Sequence, residues 1–195
     1  MSGDVDQGSF AAAFRQRDAL QHGLSARDLA RMEAEGLIER LGRGLYLRTD
    51  MPLLDLDRLE IATRAPEATL CLGSALAHHD LIDDIPSDID VALPRGRRHP
   101  KTAAPVQWHS FDAATFEIGR DWLEICGALR IGLYNPERSI IDAFRLKHQE
   151  GHEMAYQALK TWLRRRGAQP AKLLTMARDF PKAEPSLRLA LQILL

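Results

Sequence analysis

Two sets of residues in this chain have types and spacings suited to chemistry. The first is basic. Arg27 and Arg31 stand four residues apart in SARDLARMEAEGLIERLGRGLYL (residues 25–47), with Arg40 and Arg43 later in that stretch and Arg48 just beyond it. A guanidinium is a planar fork that binds a guanine edge or a phosphate through two hydrogen bonds, so spaced arginines on one face suit nucleic acid. The second set pairs Gly73-Ser74 with Asp88-Ile89-Asp90. A Gly-Ser pair on a turn can hold a triphosphate. Two carboxylates one strand residue apart share a face, where they can bind Mg2+ ions.

The arginines need a helix and a turn to position them. Ser25 suits an N-cap, because its hydroxyl accepts from an unpaired N–H of the first turn. Asp28, three residues on, reinforces that start by its charge and spacing. Ala26, Leu29, Ala30 and Met32 form an apolar stripe, with Arg27, Arg31 and Ala34 on the other side. Gly36 is the left-handed stop. Leu37 to Leu41 reads as extended, Gly42-Arg43-Gly44 as a turn, and Leu45 to Leu47 as the returning strand. A helix followed by a small hairpin is the reading half of a winged helix-turn-helix. Ser25, Arg27, Arg31, Arg40, Arg43 and Arg48 are its expected DNA-binding residues: Arg27 and Arg31 on bases, Arg40, Arg43 and Arg48 on phosphates. A solvated helix and hairpin, or a winged module that docks protein, are the competing readings of the same pattern.

Upstream, Phe10 to Gln21 reads as a supporting helix capped by Ser9, with Phe10, Ala13, Phe14 and Leu20 as its buried edge and Gly23 after it. Thr49-Asp50-Met51-Pro52 breaks the pattern. It separates an expected DNA-binding domain over 1–50 from a second domain over 51–195, which opens with a helix from Asp55 to Ala65.

The second set lies in TLCLGSALAHHDLIDDIPSDIDVALP (69–94). Thr69 to Leu72 reads as a short strand or helix start, and Ser74 as the cap of a helix over Ala75 to His79. Ile89, Val91 and Leu93 alternate with Asp88, Asp90 and Ala92, which is strand periodicity. Nucleotidyltransferases combine a Gly-Ser turn with an Asp-x-Asp strand, and Glu124 in WLEIC would be a third carboxylate. The alternative is that Asp88 and Asp90 form the solvated face of a half-buried strand; short patterns have many chance matches.

Arg95 to Lys101 (RGRRHPK) reads as a basic loop that is solvated or touches phosphates. Val106 to Phe111, Leu123 to Cys126 and Leu129 to Leu133 read as strands sharing a sheet with 89–93. Asn135 caps and Pro136 opens the next helix. Ile140, Ile141 and Phe144 form its buried stripe, and Arg138 with Asp142 an i,i+4 ion pair. Helices are expected over 152–166, 170–178 and 182–194, with Trp162 and Leu163 on a core face. The apolar tail LRLALQILL should pack on those helices or on another chain.

Net charge is −1, divided as −1 over 1–50, −5 over 51–150 and +5 over 151–195. A first segment that is not basic overall implies weak non-specific affinity for DNA. The basic final segment suits phosphates or an acidic partner. No apolar run approaches the roughly 20 residues of a membrane span, and MSGDVDQGSF lacks the basic start of a signal peptide, which points to a cytoplasmic protein. Cys71 and Cys126 read as buried thiols rather than a disulfide framework. His78 with His79, and His148 with His152, lack zinc-site spacing. No metal or cofactor is expected, and no enzyme activity in the leading reading.

GLSARDLARMEAEGLIERLGRGLYL resembles the N-terminal domain of the AbiEi family, antitoxins of type IV toxin–antitoxin systems. The shared features are Gly23-Leu24-Ser25, the helix with spaced arginines, and Arg43 to Tyr46. The Ser-Ala-Leu helix and Ile-Pro turn within 69–94, and YNPERSIIDAFRL (134–146), extend the resemblance. It implies an α+β chain: a winged helix-turn-helix, then an antitoxin domain with a small mixed sheet and a helical bundle. The implied function is an autorepressor that binds inverted repeats of double-stranded DNA in its own promoter, as a dimer if the repeats are occupied together. The implied functional partner is a nucleotidyltransferase toxin, counteracted without a stable complex. The competing enzyme reading uses Gly73, Ser74, Asp88 and Asp90 with Mg2+.

Overall fold

The first sheet forms around Leu45–Arg48, whose residues are buried except for the half-buried Arg48. The computed structural model describes residues 13–50, 55–84, 86–126, 129–146 and 152–195. These fall into two units. The first runs to Pro66 and takes in Thr102–Ala104 and Leu123–Ile131; the second comprises Glu67–Lys101, Pro105–Trp122 and Gly132–Leu195.

The first unit runs β1 (Ala13–Arg15), α1 (Gln16–Gln21), α2 (Ala26–Ala34), β2 (Ile38–Gly42), β3 (Leu45–Arg48) and α3 (Leu56–Arg64). The sheet order is β1-β3-β2, antiparallel throughout. The helix expected over Phe10–Gln21 is corrected here. Ala13, Phe14 and Arg15 pair with Leu47, Tyr46 and Leu45, and the helix begins at Gln16. The cause is tertiary: Phe14 stacks on Tyr46 with ring centroids 5.9 Å apart, and Ala13 packs with Leu47 and Leu59. Ser9 and Phe10 lie outside the described residues. Leu20, expected inside, is exposed, and Ala19 takes the core position. Phe14, Ala19, Leu24, Leu29, Ile38 and Tyr46 make the core under α2. Glu60 of α3 is buried, yet its acceptors are filled. One oxygen takes the N–H groups of Ala103 and Ala104 at 2.9 and 3.0 Å, and the other takes Arg64 Nε at 2.6 Å.

The remaining elements are β4 (Thr69–Leu70), α4 (Leu72–His78), β5 (Ile89–Pro94), β6 (Val106–Phe111), β7 (Arg120–Cys126), β8 (Leu129–Tyr134), α5 (Pro136–Arg145), α6 (His152–Leu163), α7 (Pro170–Ala177) and α8 (Glu184–Leu194). The sheet order is β6-β5-β4-β8-β7. It is mixed: β4 runs antiparallel to β5 and parallel to β8, while β5 and β6 run parallel. Asn135 caps α5 as expected, its side chain accepting the Arg138 N–H at 2.9 Å, with Pro136 in the first turn. Ile140, Ile141 and Phe144 are buried against Leu159, Trp162, Leu173, Leu187 and Leu191 of α6, α7 and α8. The apolar tail is divided between two faces: Leu187, Ala190 and Leu191 are buried, while Leu189, Ile193 and Leu195 are exposed.

Ser74 does not cap a helix. Cys71 occupies the N-cap position of α4, and Ser74 lies inside the helix with its Oγ accepting the Asp90 N–H at 2.8 Å. Nor is Asp90 on a solvated strand face; it is buried. Among the described residues, no helix is long and apolar enough to cross a membrane.

Candidate nucleic-acid interface

The start of α2 is fixed by a reciprocal cap. Ser25 Oγ accepts the Asp28 N–H at 3.1 Å, and Asp28 Oδ2 accepts the Ser25 N–H at 2.9 Å and its hydroxyl at 2.6 Å. Two donors otherwise orphaned at a helix start are thereby satisfied. The Ser25 hydrogen bonds, with help from Arg31 and Arg27, hold the Asp28 carboxyl below its usual range. Ser25 thereby defines the start of the helix while remaining exposed. Gly36 ends that helix with φ +70°, and Thr49 closes the loop by donating its hydroxyl to the Gly36 carbonyl at 2.6 Å.

Only Leu29 of α2 is buried and Met32 is half-buried; Ala26 and Ala30 of the expected stripe are exposed. The core contact is narrow, so most of the helix surface is open. Arg27 and Arg31 lie on that surface. Arg31 pairs with Asp28 Oδ1 at 3.2 Å, with 60% of its side chain exposed. A screened pair of that kind is weak and readily exchanged for a phosphate or base.

The hairpin sets the other arginines at different depths. Arg43 is exposed in the turn between β2 and β3, where Gly44 has φ +69°. Arg40 is exposed on β2 beside a register shift between Arg40 and Gly42, and its Nε donates to the Gly42 carbonyl at 3.3 Å. Arg48 differs. Its guanidinium grips Asp50 at 2.6 and 3.0 Å with 17% of the side chain exposed, and the Asp50 carboxyl is lowered by that bond. To hold a phosphate, Arg48 would first have to release Asp50.

The second set is assembled in the other unit. A methyl group at Gly73 would lie 3.0 Å from Asp90 Oδ2 and from Pro86 Cγ, so the glycine permits the approach of strand to helix. His109 Nε2 bonds Asp90 Oδ1 at 2.8 Å. Gly73, Asp84, Asp88, Asp90, Gln107 and Glu153 help line a cavity of about 560 Å³. Glu124 is exposed on β7 and belongs to the first unit. Asp84, Glu153 and His109 were missed by sequence reasoning, because nothing in their local pattern announces a cavity assembled from α4, β5, β6 and α6. Among the described residues, the charged groups of the lining are acidic, which repels a triphosphate unless cations intervene. Among the described residues, no three His, Cys, Asp or Glu side chains are placed to hold a metal ion.

Comparison with known proteins bears on the first set. Residues 13–49 match a family model described as "Transcriptional regulator, AbiEi antitoxin". The match covers β1 through β3, including α2 and its cap. No curated protein matches the chain. Among solved structures, the RV2827C protein from Mycobacterium tuberculosis is similar in fold, with a TM-score of 0.51 at 15% identity over 86% of this chain. The alignment spans 66% of that protein's length. The AbiEi resemblance read from the sequence is thus borne out for the first segment: over residues 13–49 the chain carries the signature of the AbiEi antitoxin transcriptional regulators.

Proposed function

We propose that the chain is a DNA-binding autorepressor and type IV antitoxin whose first domain, over 1–50, is a winged helix-turn-helix. On this reading α2 enters the major groove, Arg27 and Arg31 contact base edges, and the hairpin lays Arg40 and Arg43 on phosphates. Arg48 joins them by exchanging Asp50 for a phosphate. The observation that carries the reading is the exposed arginine face of α2, fixed at its start by the Ser25–Asp28 cap and followed directly by a basic hairpin turn. The family match over 13–49 supports a regulator or antitoxin role. The residues from 51 onward form the antitoxin domain, and the functional partner is a nucleotidyltransferase toxin counteracted without a stable complex. The protein works in the cytoplasm and occupies inverted repeats as a dimer.

The direct test is binding of the full chain to the duplex upstream of its own gene, compared with the Arg27→Ala/Arg31→Ala variant. The expected result is a specific complex that the variant loses. Unchanged affinity in the variant would refute these base contacts. Rescue of growth on co-expression with the neighbouring toxin tests the second half. The nucleotidyltransferase reading is less well supported, since His109 already engages Asp90 Oδ1.

A further inference from the structure

The basic loop, expected to be solvated or to touch phosphates, is pinned to the sheet in a defined conformation. Its first residue extends the β5–β6 ladder, the Arg95 N–H donating to the Phe111 carbonyl at 2.7 Å. The chain then turns through Gly96 at φ +92°, with the Arg97 N–H donating to the Pro94 carbonyl at 3.1 Å. This brings His99 back over β6. Its ring stacks on Trp108, with centroids 5.7 Å apart and planes 21° from parallel, and its Nε2 lies 3.1 Å from Ser110 Oγ. Strand alternation places Val106, Trp108 and Ser110 on one face of β6, opposite the face that carries His109 and Phe111 into the interior.

Charge gathers around this stack. Arg95, Arg97, Arg98, His99 and Lys101 are all exposed. Arg95 has a distant acidic neighbour, Asp112 at 3.7 Å, and Arg97 pairs with Glu67 at 2.7 Å. Two cations, Arg98 and Lys101, flank His99 in sequence, and the outer side of the His99 ring faces no aromatic partner among the described residues. An aromatic stack on a sheet face beside exposed positive charge is an arrangement suited to unpaired bases. The ring supplies a sequence-tolerant stacking surface and the cations supply the phosphate contacts. A duplex would offer no base face to His99.

We propose that the Arg95–Lys101 loop and the His99–Trp108 stack form a second nucleic-acid site, specific for single-stranded polynucleotide and separate from the arginine face of α2. A base continues the stack on His99, and Arg98 and Lys101 take the adjacent phosphates. The site belongs to the second unit and does not depend on the regulator reading of the first.

The test uses the full chain and fluorescently labelled oligo-dT and oligo-U, followed by anisotropy across a salt series. The wild type is expected to bind at least one of the two. Arg98→Ala/Lys101→Ala should weaken binding at least fivefold and lower the salt slope by about 1.4, two phosphate contacts on a single strand. His99→Ala should weaken oligonucleotide binding while leaving heparin, a base-free polyanion, unaffected. Arg27→Ala/Arg31→Ala should leave single-strand binding intact, so that failure of the promoter reading and failure of this one are distinguishable. Absence of single-strand binding, an equal loss for heparin in His99→Ala, or loss of single-strand binding only in the α2 variant would each overturn the proposal.

Discussion

Arg138 donates its Nε–H to Asp142 Oδ2 across 2.9 Å, one turn along α5, and neither side chain has any exposed surface. The pairing was legible from the spacing; its depth was not. Arg138 also donates to the carbonyls of Thr115 and Ile118 at 2.7 and 2.6 Å, and its guanidinium lies 4.2 Å from the Tyr134 ring centre and 4.4 Å from that of Phe180. Arg145 approaches the other Asp142 oxygen at 2.9 Å. Burial pushes the Asp142 carboxyl up, and the two guanidinium groups pull it back. The cluster ties the loop before β7 and the turn after α7 to α5.

Removing the shared carboxylate should therefore be severe. Asp142→Ala leaves two guanidinium groups facing each other in the interior, and we expect a loss of about 3–5 kcal/mol in urea unfolding. Arg138→Met/Asp142→Leu should lose much less than the two single changes added together, because the fully buried pair leaves together and only Arg145, 17% exposed, is left without its carboxylate. Additive losses would show that the groups act independently.

The cap of α2 gives a prediction with a sign in pH. Asp28 is held below the ordinary carboxylate value of 3.8, first by the Ser25 hydrogen bonds. The folded chain then binds fewer protons there than the unfolded chain. The stability from this group is present above that value and is lost as pH falls through the lowered one. An NMR titration of Asp28 should show a midpoint below 3.8. Ser25→Ala should move that midpoint upward, and loss of the cap hydroxyl should cost about 1 kcal/mol in thermal or urea unfolding.

At the proposed promoter complex, the two classes of arginine should separate by their signatures. Arg43→Ala should weaken specific and random duplexes alike and reduce the salt slope by about 1. Arg27→Ala should instead cost about 1–3 kcal/mol on the specific site and relax discrimination at one base pair. Arg48→Ala should have the smaller effect of the hairpin positions, because its guanidinium is already engaged by Asp50. Binding isotherms on both duplexes at several salt concentrations check all three.

Gly119 gives a prediction for the second unit. It has φ +69°, and an added methyl group would lie 2.7 Å from Arg138 Cβ and 3.0 Å from Asn135 Oδ1. Gly119→Ala should cost about 2 kcal/mol or more through backbone strain and crowding together. A chemical-denaturation midpoint equal to wild type would show that the start of α5 gives way.

Glu60→Ala should strip three donors of their acceptor at once: the N–H groups of Ala103 and Ala104 and the Nε–H of Arg64. We expect a loss of about 2 kcal/mol or more, with faster amide exchange at Ala103 and Ala104.

The sequence by itself determined the boundaries that rest on short-range hydrogen bonds and periodicity. Ser25 with Asp28 set the start of α2, Gly36 its end, Arg43-Gly44 the hairpin turn, and Asn135-Pro136 the start of α5. Each signal lies within a few residues of the group it satisfies, so neighbours in the chain are enough to read it. Tertiary structure alone decided the rest. Ala13–Arg15 is a strand because Leu45–Leu47 offers it a ladder and Tyr46 offers Phe14 a stacking partner. Asp90 is buried because Ser74 and His109 reach it from other elements, at distances of 16 and 19 residues in the chain. His99 becomes a stacking surface only where a turn lays it over Trp108. A side chain's local pattern fixes which face of its element it occupies; what meets that face, and whether water is excluded there, depends on partners that the pattern does not name.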